Sequence, residues 1–156
     1  MAKAQPLPRR YRSALPAILV KDAHRALEFY ARAFGVEVEE KYLMPDGTIG
    51  HAAFRHGDTL IGLAEANPDW GLVAPDPKAA SSSSITLWVD DVDVVFARAL
   101  AAGATQVSAV ADQFHGARSG TLRCPFGHRW ILATFLEDVP QDEVQKRLNA
   151  LFAAPA

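Results

Sequence analysis

The sequence predicts an α+β protein made of two tandem βαβββ modules followed by a C-terminal helix. Two observations support this class. The same order of apolar and turn segments occurs twice, over residues 14–66 and again over residues 85–136. Turn glycines also recur at an offset of roughly 69 residues, as expected of an internal repeat. The matching pairs are Gly35 with Gly103, Gly47 with Gly116, and Gly57 with Gly127.

The first module begins with an apolar run over residues 14–20, predicted as a strand that starts near Pro16 or lies at a sheet edge. Asp22 is predicted to cap a helix over residues 23–34, because its carboxylate can accept from the free amides of the first turn. Apolar side chains recur at helical spacing in that helix, and Gly35 suits its end. Three strands follow, over residues 36–43, 48–55 and 59–65.

The second module repeats this order. Residues 85–89 are predicted as a strand, Asp90 or Asp91 as the cap of the next helix, and Gly103 as its end. A strand is predicted over residues 106–110. A hairpin follows, with strands at 117–124 and 128–135 that are joined by a turn at Pro125-Phe126-Gly127.

Three segments lie outside the modules. Residues 1–13 are predicted as a flexible basic arm. Residues 67–84 are rich in proline and serine and predict a linker or a lid. Residues 137–156 are predicted as a C-terminal helix over 141–152 with a short tail. Its apolar stripe suggests docking on a sheet edge or on a partner chain.

Composition excludes several classes of protein. The chain has 156 residues, 49% of them hydrophobic, and a formal net charge of −2. That charge gives no electrostatic basis for binding nucleic acid or an anionic membrane. We expect no secretory signal and no membrane span. The single cysteine, Cys124, excludes an intrachain disulfide and predicts a reducing, cytoplasmic location.

The repeated segments resemble a known superfamily. VKDAHRALEFYARAFG in the first module, with VDDVDVVFARALAAGA and DQFHGARSGTLRCPFGHRW in the second, resemble the vicinal oxygen chelate superfamily. That superfamily includes glyoxalase I, extradiol dioxygenases, fosfomycin-resistance enzymes and bleomycin-binding proteins. MPDGTIGHAAFRHGD and PFGHRW look most like its PhnB-like branch. The resemblance implies curved mixed sheets around a cavity, and a homodimer.

The resemblance also implies where a metal would bind. In the metalloenzymes of the superfamily, four ligands stand on the first and last strands of each module. These positions fall near Leu15, Gly62, Ser84 and Ile131, of which only Ser84 has a side-chain oxygen. Residues shifted by one position are no better as ligands. We therefore predict no metal site and no cofactor, with a divalent metal on nonstandard ligands as the alternative.

Several aromatic, histidine and arginine side chains are candidates for binding a ligand. His51 is predicted to be a pocket base or hydrogen-bonding group, and Trp88 a flat stacking wall. Phe114 and His115, in a loop of the second module, are further candidates, and Arg118 and Arg129 could each clamp an anionic ligand. For all of these residues, a plain structural role is the alternative. Cys124 has no predicted neighbouring histidine, so we do not predict a nucleophile there.

Two functions from different classes fit these residues. The first is a protein that binds a small organic molecule in the cavity without the metal site of the superfamily. The alternative is a lyase, isomerase or dioxygenase that uses nonstandard ligands such as His51 and Glu65, or a metal-free base. A regulatory subunit without chemistry of its own is a third interpretation.

Overall fold

A computed structural model describes residues 14–153. The predicted arm over residues 1–13 and the last residues of the tail lie outside this range. Within it, the chain forms two four-stranded sheets and three α-helices, in the predicted order β-α-β-β-β twice, followed by the last helix. The α+β class with two βαβββ modules and a C-terminal helix is therefore confirmed.

The first module forms a mixed sheet in the order β1-β4-β3-β2, with β1 parallel to β4 and the other pairs antiparallel. Its helix crosses from β1 to β2, as the apolar spacing predicts. The elements are β1 (Ala17–Val20), α1 (Ala23–Phe34), β2 (Glu37–Leu43), β3 (Ile49–His56) and β4 (Thr59–Glu65).

The second module has the equivalent order β5-β8-β7-β6 and the same pattern of parallel and antiparallel pairs. Its elements are β5 (Ser84–Trp88), α2 (Val92–Ala101), β6 (Thr105–Asp112), β7 (Ala117–Arg123) and β8 (Arg129–Phe135). The C-terminal helix is α3 (Gln141–Phe152). None of the helices in the described range is long and apolar enough to cross a membrane.

Local chemistry of the repeat explains why the modules match. The Asp22 carboxylate accepts from the Arg25 amide at 3.0 Å, and the Asp91 carboxylate accepts from the Val94 amide at 3.1 Å. Each aspartate thus satisfies an amide of a first helical turn. The six turn glycines that define the repeat all adopt positive φ angles, which glycine does without the steric cost of a Cβ.

One core joins the two modules. Helices α1 and α2 lie side by side, and the Arg98 guanidinium donates to the Ala33 carbonyl at the end of α1, at 2.9 Å. The Tyr30 ring stacks on Phe54 at 5.2 Å and meets the edge of Trp130, from the other sheet, at 5.3 Å. Trp130 is fully buried beneath a helix.

The predicted linker is held by specific contacts. Pro68–Trp70 forms a short 3₁₀ helix after β4. Further along, the Arg123 guanidinium donates to the Pro77 carbonyl at 2.9 Å and also to that of Ala79. Strand β5 begins at Ser84, the last residue of the predicted linker. This segment therefore follows a defined path along the second sheet.

Helix α3 docks only in part. Its Arg147 guanidinium donates to the Glu137 carboxylate at 2.7 Å and to the Phe114 carbonyl at 3.4 Å. The apolar residues near its end, Leu151 and Phe152, remain 65% and 82% exposed. The expected docking of the whole apolar stripe on a sheet edge is therefore not observed within this chain.

Candidate functional site

Each sheet has one face against the helices and one face turned away, which we call the open face. In the first sheet, Phe54 and Ile61 point into the core, whereas the neighbouring pair Ala53 and Gly62 lies on the open face. The same alternation places Leu132 in the second sheet's core, because successive side chains on a strand point to opposite faces.

The four positions that the resemblance assigns to metal ligands do lie on the open faces. The Leu15 side chain lies 3.6 Å from the place where a Cβ of Gly62 would stand. The register pairs Ser84 with Arg129 and Thr86 with Ile131, so Ser84 and Ile131 share the open face of the second sheet. A leucine, a glycine, a serine and an isoleucine do not form a donor set for a divalent cation.

Neighbouring residues do not replace these donors. One position away, the side chains are apolar and lie in the core or pack against it: Ile61, Leu63, Ile85 and Leu132. Among residues 14–153, no group of three or more His, Cys, Asp and Glu side chains is placed to hold a metal. The residues present therefore do not fit the metal of the superfamily, and we derive no chemical step through one.

A groove runs between the facing edges of the two sheets, along β5. One cavity of about 400 Å³ is bounded by the start of β1, residues 82–85, His128 and Arg129. An adjoining cavity of about 310 Å³ shares Pro16 and Ile85 and extends to Trp88. We call these two cavities together the inter-sheet groove.

Two predicted ligand-binding residues, Trp88 and Arg129, line this groove. The Trp88 side chain is on the open face and 55% exposed, and its carbonyl accepts from His56 Nε2 at 2.7 Å. Arg129 is half-buried, and its guanidinium makes no hydrogen bond or ion pair with residues 14–153. Trp88 lies four positions along β5 from Ser84, the pairing partner of Arg129, which is about 13 Å along the strand. The groove therefore has an aromatic wall towards one end and a cation towards the other.

His128 also lines the groove, although it is not among the residues predicted from the sequence to bind a ligand. Burial lowers the pKa of His128 to about 4, so its imidazole is neutral at physiological pH. Its Nδ1 lies 3.9 Å from the Cys124 sulfur, which lies 3.5 Å from the Tyr30 hydroxyl. The sequence feature that could have indicated this contact is the tight turn between the two residues, in which the Cys124 amide donates to the His128 carbonyl. That pairing brings the two side chains together, so Cys124 does have a neighbouring histidine.

His51 lies on the open face of the first sheet, outside the groove. Its Nε2 is 3.3 Å from Oε2 of the buried Glu40 carboxylate, and its ring stacks on Tyr42 at 5.8 Å. Simple alternation along β3 would place Ile49 on the same face as His51. A register shift between β2 and β3, beside the Tyr42–His51 pair, turns Ile49 into the core instead. The tertiary fold thus creates a His–Glu pair that sequence separation did not suggest.

The other three predicted residues lie away from the groove. The Arg118 guanidinium donates to Asp93, on α2, at 2.7 and 2.9 Å. It also donates to Asp112, at the end of β6, at 2.8 Å. These carboxylates raise its pKa and occupy its donors, which corresponds to the surface ion pair considered as the alternative. Phe114 and His115 pack edge to face at 5.2 Å in the loop before β7, near α3.

The match to a family model agrees with this fold and these faces. Residues 13–132 match the model described as "Glyoxalase/Bleomycin resistance protein/Dioxygenase superfamily". Because this match covers most of the chain, the protein belongs to that superfamily.

Known relatives match the chain at moderate to low sequence identity. An uncharacterized protein of Mycobacterium bovis is 37% identical over 138 residues, which cover 86% of this chain and 91% of the relative. The crystal structure of TioX from a Micromonospora species has a TM-score of 0.61 and 26% identity, covering 80% of this chain and all of that one. A Pseudomonas aeruginosa protein has a TM-score of 0.64 at 19% identity, over 81% of this chain and 99% of that chain.

Proposed function

We propose that this protein binds a small organic anion with a planar apolar body in the inter-sheet groove, without a metal ion. The observation that supports this best is the placement of Trp88 and Arg129 towards opposite ends of one groove. A largely exposed indole on a regular strand offers a flat surface for a planar ligand. Between the two residues, the wall is mainly aliphatic, with Pro16 and Ile85 shared by both cavities.

Arg129 determines the charge that we propose for the ligand. A guanidinium that is half-buried without a counter-ion loses hydration and gains no compensating hydrogen bond. A carboxylate or phosphate group of a ligand would replace the lost hydration of the guanidinium through two parallel N–H···O bonds. Next to it, neutral His128 and the serines of residues 82–84 can add hydrogen bonds without adding negative charge.

We also propose a homodimer, in the cytoplasm, of the PhnB-like branch. The resemblance of MPDGTIGHAAFRHGD and PFGHRW supports the branch. Support for dimerisation comes from large apolar side chains that the single chain leaves exposed, such as Phe135 at 62% and Phe152 at 82%. The lone free thiol of Cys124 supports a reducing compartment. Sedimentation velocity over a range of concentrations tests the dimer.

The binding proposal is tested with a set of planar aromatic carboxylates and their uncharged amides. Two-dimensional NMR of nitrogen-labelled protein shows the indole N–H signals of the three tryptophans, which substitution assigns. We expect a carboxylate to shift the Trp88 signal saturably. Arg129→Gln should then weaken binding by about tenfold, as for loss of a charge-assisted hydrogen bond.

Arg118→Gln provides the matched control, because it removes the same charge outside the groove. It should leave the affinity within about twofold. Equal binding of carboxylates and amides would contradict the proposed anion site. Failure of every compound to shift Trp88 would contradict the groove as the binding site.

A second candidate function is supported by the pair formed by His51 and Glu40. A carboxylate beside a histidine fixes the orientation of the imidazole, which is a common arrangement for a general base. We propose a metal-free lyase or isomerase as this alternative. Superfamily substrates should then be turned over by the wild type and not by His51→Ala, while binding in the groove persists.

Elemental analysis distinguishes a metal-dependent enzyme with nonstandard ligands from the metal-free enzyme. Protein purified without chelator is measured before and after incubation with Zn²⁺, Ni²⁺, Mn²⁺ and Fe²⁺. Near-stoichiometric metal that His51→Ala loses would support an enzyme with nonstandard ligands and contradict metal-free binding. Protein without metal under all conditions would exclude the metal-dependent version and support a ligand screen.

A further inference from the structure

A separate cavity lies at the far end of the first sheet, where the β2–β3 turn meets the chain leaving β4. Its volume is about 210 Å³, and it shares no lining residue with the inter-sheet groove. Six of the residues around it determine its chemistry: Met44, Asp46, Ile49, Glu65, Trp70 and Leu72. We call this cavity the corner pocket.

Among residues 14–153, the charged side chains that line the corner pocket are all negative. Glu65 and Asp46 are among its lining residues, and no lysine, arginine or histidine is. Glu65 is half-buried, and one of its oxygens accepts from the Ile49 amide at 3.3 Å. The Asp46 carboxylate accepts from the Thr48 amide and hydroxyl, and these bonds lower its pKa, so it remains ionised. Within the described part of the chain, the lining of the pocket therefore combines two carboxylates with no cationic side chain.

A tryptophan forms one wall of the same pocket. Trp70 is 67% exposed, yet it stands on a well-defined 3₁₀ helix. Asn67 caps that helix by accepting from the Asp69 amide at 3.1 Å, and its carbonyl accepts from the Leu72 amide at 3.0 Å. The indole is thus presented by a rigid turn, which lowers the entropy cost of binding against it.

The internal repeat provides an independent comparison, because the second module has the same corner. There, the Gly116 carbonyl accepts from the amides of Leu136 and Glu137 at 2.9 and 3.1 Å, so the departing chain fills the space. In the first module, no atom of the described residues lies within 4 Å of where a Cβ of the corresponding Gly47 would stand, and the Gly47 carbonyl is contacted by His24 Nε2 at 3.2 Å instead of by the departing chain. The corner is therefore closed in one copy of the module and open in the other.

The two modules also differ in the side chain near the end of their last strand. In the first module, Glu65 pairs with Val20 and faces the corner pocket. In the second module, Thr134 is next to Val89, donating to its carbonyl at 2.9 Å and accepting from the Val92 amide at 2.8 Å. The threonine serves the local structure, whereas the glutamate supplies a charge to an open cavity.

We propose that the corner pocket binds a small organic cation with an ammonium head group. The carboxylates of Glu65 and Asp46 would compensate the charge, and the face of Trp70 would contact the ammonium methyl or methylene groups through a cation–π interaction. Met44 and Leu72 provide apolar contact for the rest of the ligand. The site does not depend on the proposed function of the groove, because it shares none of its residues.

The test uses choline and its neutral carbon isostere, in which carbon replaces the ammonium nitrogen. Each is titrated into the full chain while the indole N–H signals are recorded by two-dimensional NMR. We expect choline to shift the Trp70 signal saturably, with a dissociation constant in the millimolar range, because a small ligand makes few contacts. The Trp88 signal should stay in place.

Two variants isolate the charge. Glu65→Gln keeps an oxygen that can accept from the Ile49 amide, so the fold should persist, as an unchanged spectrum elsewhere would show. Choline affinity should fall about tenfold in this variant. Asp69→Asn removes an exposed negative charge of the same 3₁₀ helix that does not line the pocket. It should change the affinity by less than about twofold.

Three outcomes would overturn this proposal. One is the absence of a saturable Trp70 shift, another is equal binding of the neutral isostere, and the third is an equal effect of the two variants. A choline-dependent shift of Trp88 alone would place the cation in the groove instead, and would contradict both proposals. Carboxylate binding at Trp88 without choline binding at Trp70 would contradict the corner pocket and leave the groove intact.

Discussion

The two modules have the same backbone plan but differ where each last strand leaves the sheet. Both use an aspartate N-cap, glycines with positive φ at equivalent turns, and an edge strand parallel to the last strand. At the corner beside Gly116, the departing chain returns onto the sheet, whereas the corner beside Gly47 stays open. The repeat thus preserves elements that form the fold, while the segments after each module are free to diverge.

The open faces differ as well. In the first sheet, Ala53 and Leu60 on this face are 0% and 3% exposed, and the Glu40 carboxylate beside them is buried. In the second sheet, Trp88 and Phe135 on the corresponding face are 55% and 62% exposed. Each open face also has the other kind of residue, since Tyr42 in the first sheet is 59% exposed and Ala133 in the second is 3% exposed. The difference between the faces therefore lies in the buried Glu40 carboxylate of the first sheet and the exposed Trp88 indole of the second.

Alanine substitution of the paired glycines should give the largest difference between the modules. A Cβ at Gly116 would collide with the Glu137 carbonyl oxygen at a φ of 89°, whereas Gly47 has φ 86° and open space. We expect Gly116→Ala to lower the free energy of unfolding by about 3 to 5 kcal/mol. Gly47→Ala should cost only about 1 to 2 kcal/mol, the strain of positive φ alone. Urea denaturation measures both; equal losses would show that the two corners are packed alike.

The turns between the last two strands should differ in their response to acid. His128 is largely buried, with its pKa lowered to about 4 from 6.5 in the unfolded chain, whereas Asp58 in the equivalent turn is exposed. The unfolded chain therefore binds more protons between these values, so stability is lost as pH falls from 6.5 towards 4. After discounting for partial exposure, we expect a loss of about 1 to 2 kcal/mol between pH 7 and pH 5.

Urea denaturation of His128→Gln at the two pH values checks the source of this loss. The variant should lose most of the pH dependence, because glutamine does not titrate. His115→Gln is the matched control, since His115 is exposed in a loop of the same module. Its pH dependence should equal that of the wild type. A His128→Gln variant with the full pH dependence would assign the acid sensitivity to other groups.

The helix caps should give the smallest difference, because their geometry is nearly the same in both modules. Asp22→Ala and Asp91→Ala each remove one bond to a first-turn amide, so each should cost about 1 kcal/mol. Asp90→Ala, next to the second cap, should have an effect within about 0.5 kcal/mol. Thermal or urea unfolding measures all three. A cost in one module that is several times that in the other would contradict the equivalence of the caps.

Much of the fold was predictable because its determinants are local. Asp22, Gly35 and the alternating apolar residues act within a few positions along the chain, so the bounds of α1 and α3 and the order of all elements follow from the sequence. The absence of ligand-type residues at Leu15, Gly62 and Ile131 was likewise visible from the sequence.

The site residues were less predictable, because their environment depends on partners far along the chain. Arg118 has the chemistry of an anion clamp, but α2 brings Asp93 to it across 25 residues. His128 abuts a turn glycine, where an exposed histidine is common, yet the core buries it beside Cys124. The corner pocket needs the β2–β3 turn, the end of β4 and Trp70 to converge.

The sequence by itself determined the modules, their order, and their caps and turns. These features depend on residue type and short-range spacing, which are written directly in the chain. Only the tertiary structure decided which candidates line the inter-sheet groove, that His51 meets Glu40, and that one corner is open and the other closed. Those outcomes depend on how two sheets and their connecting segments pack, because packing sets burial, charge pairing and free volume between residues distant in sequence.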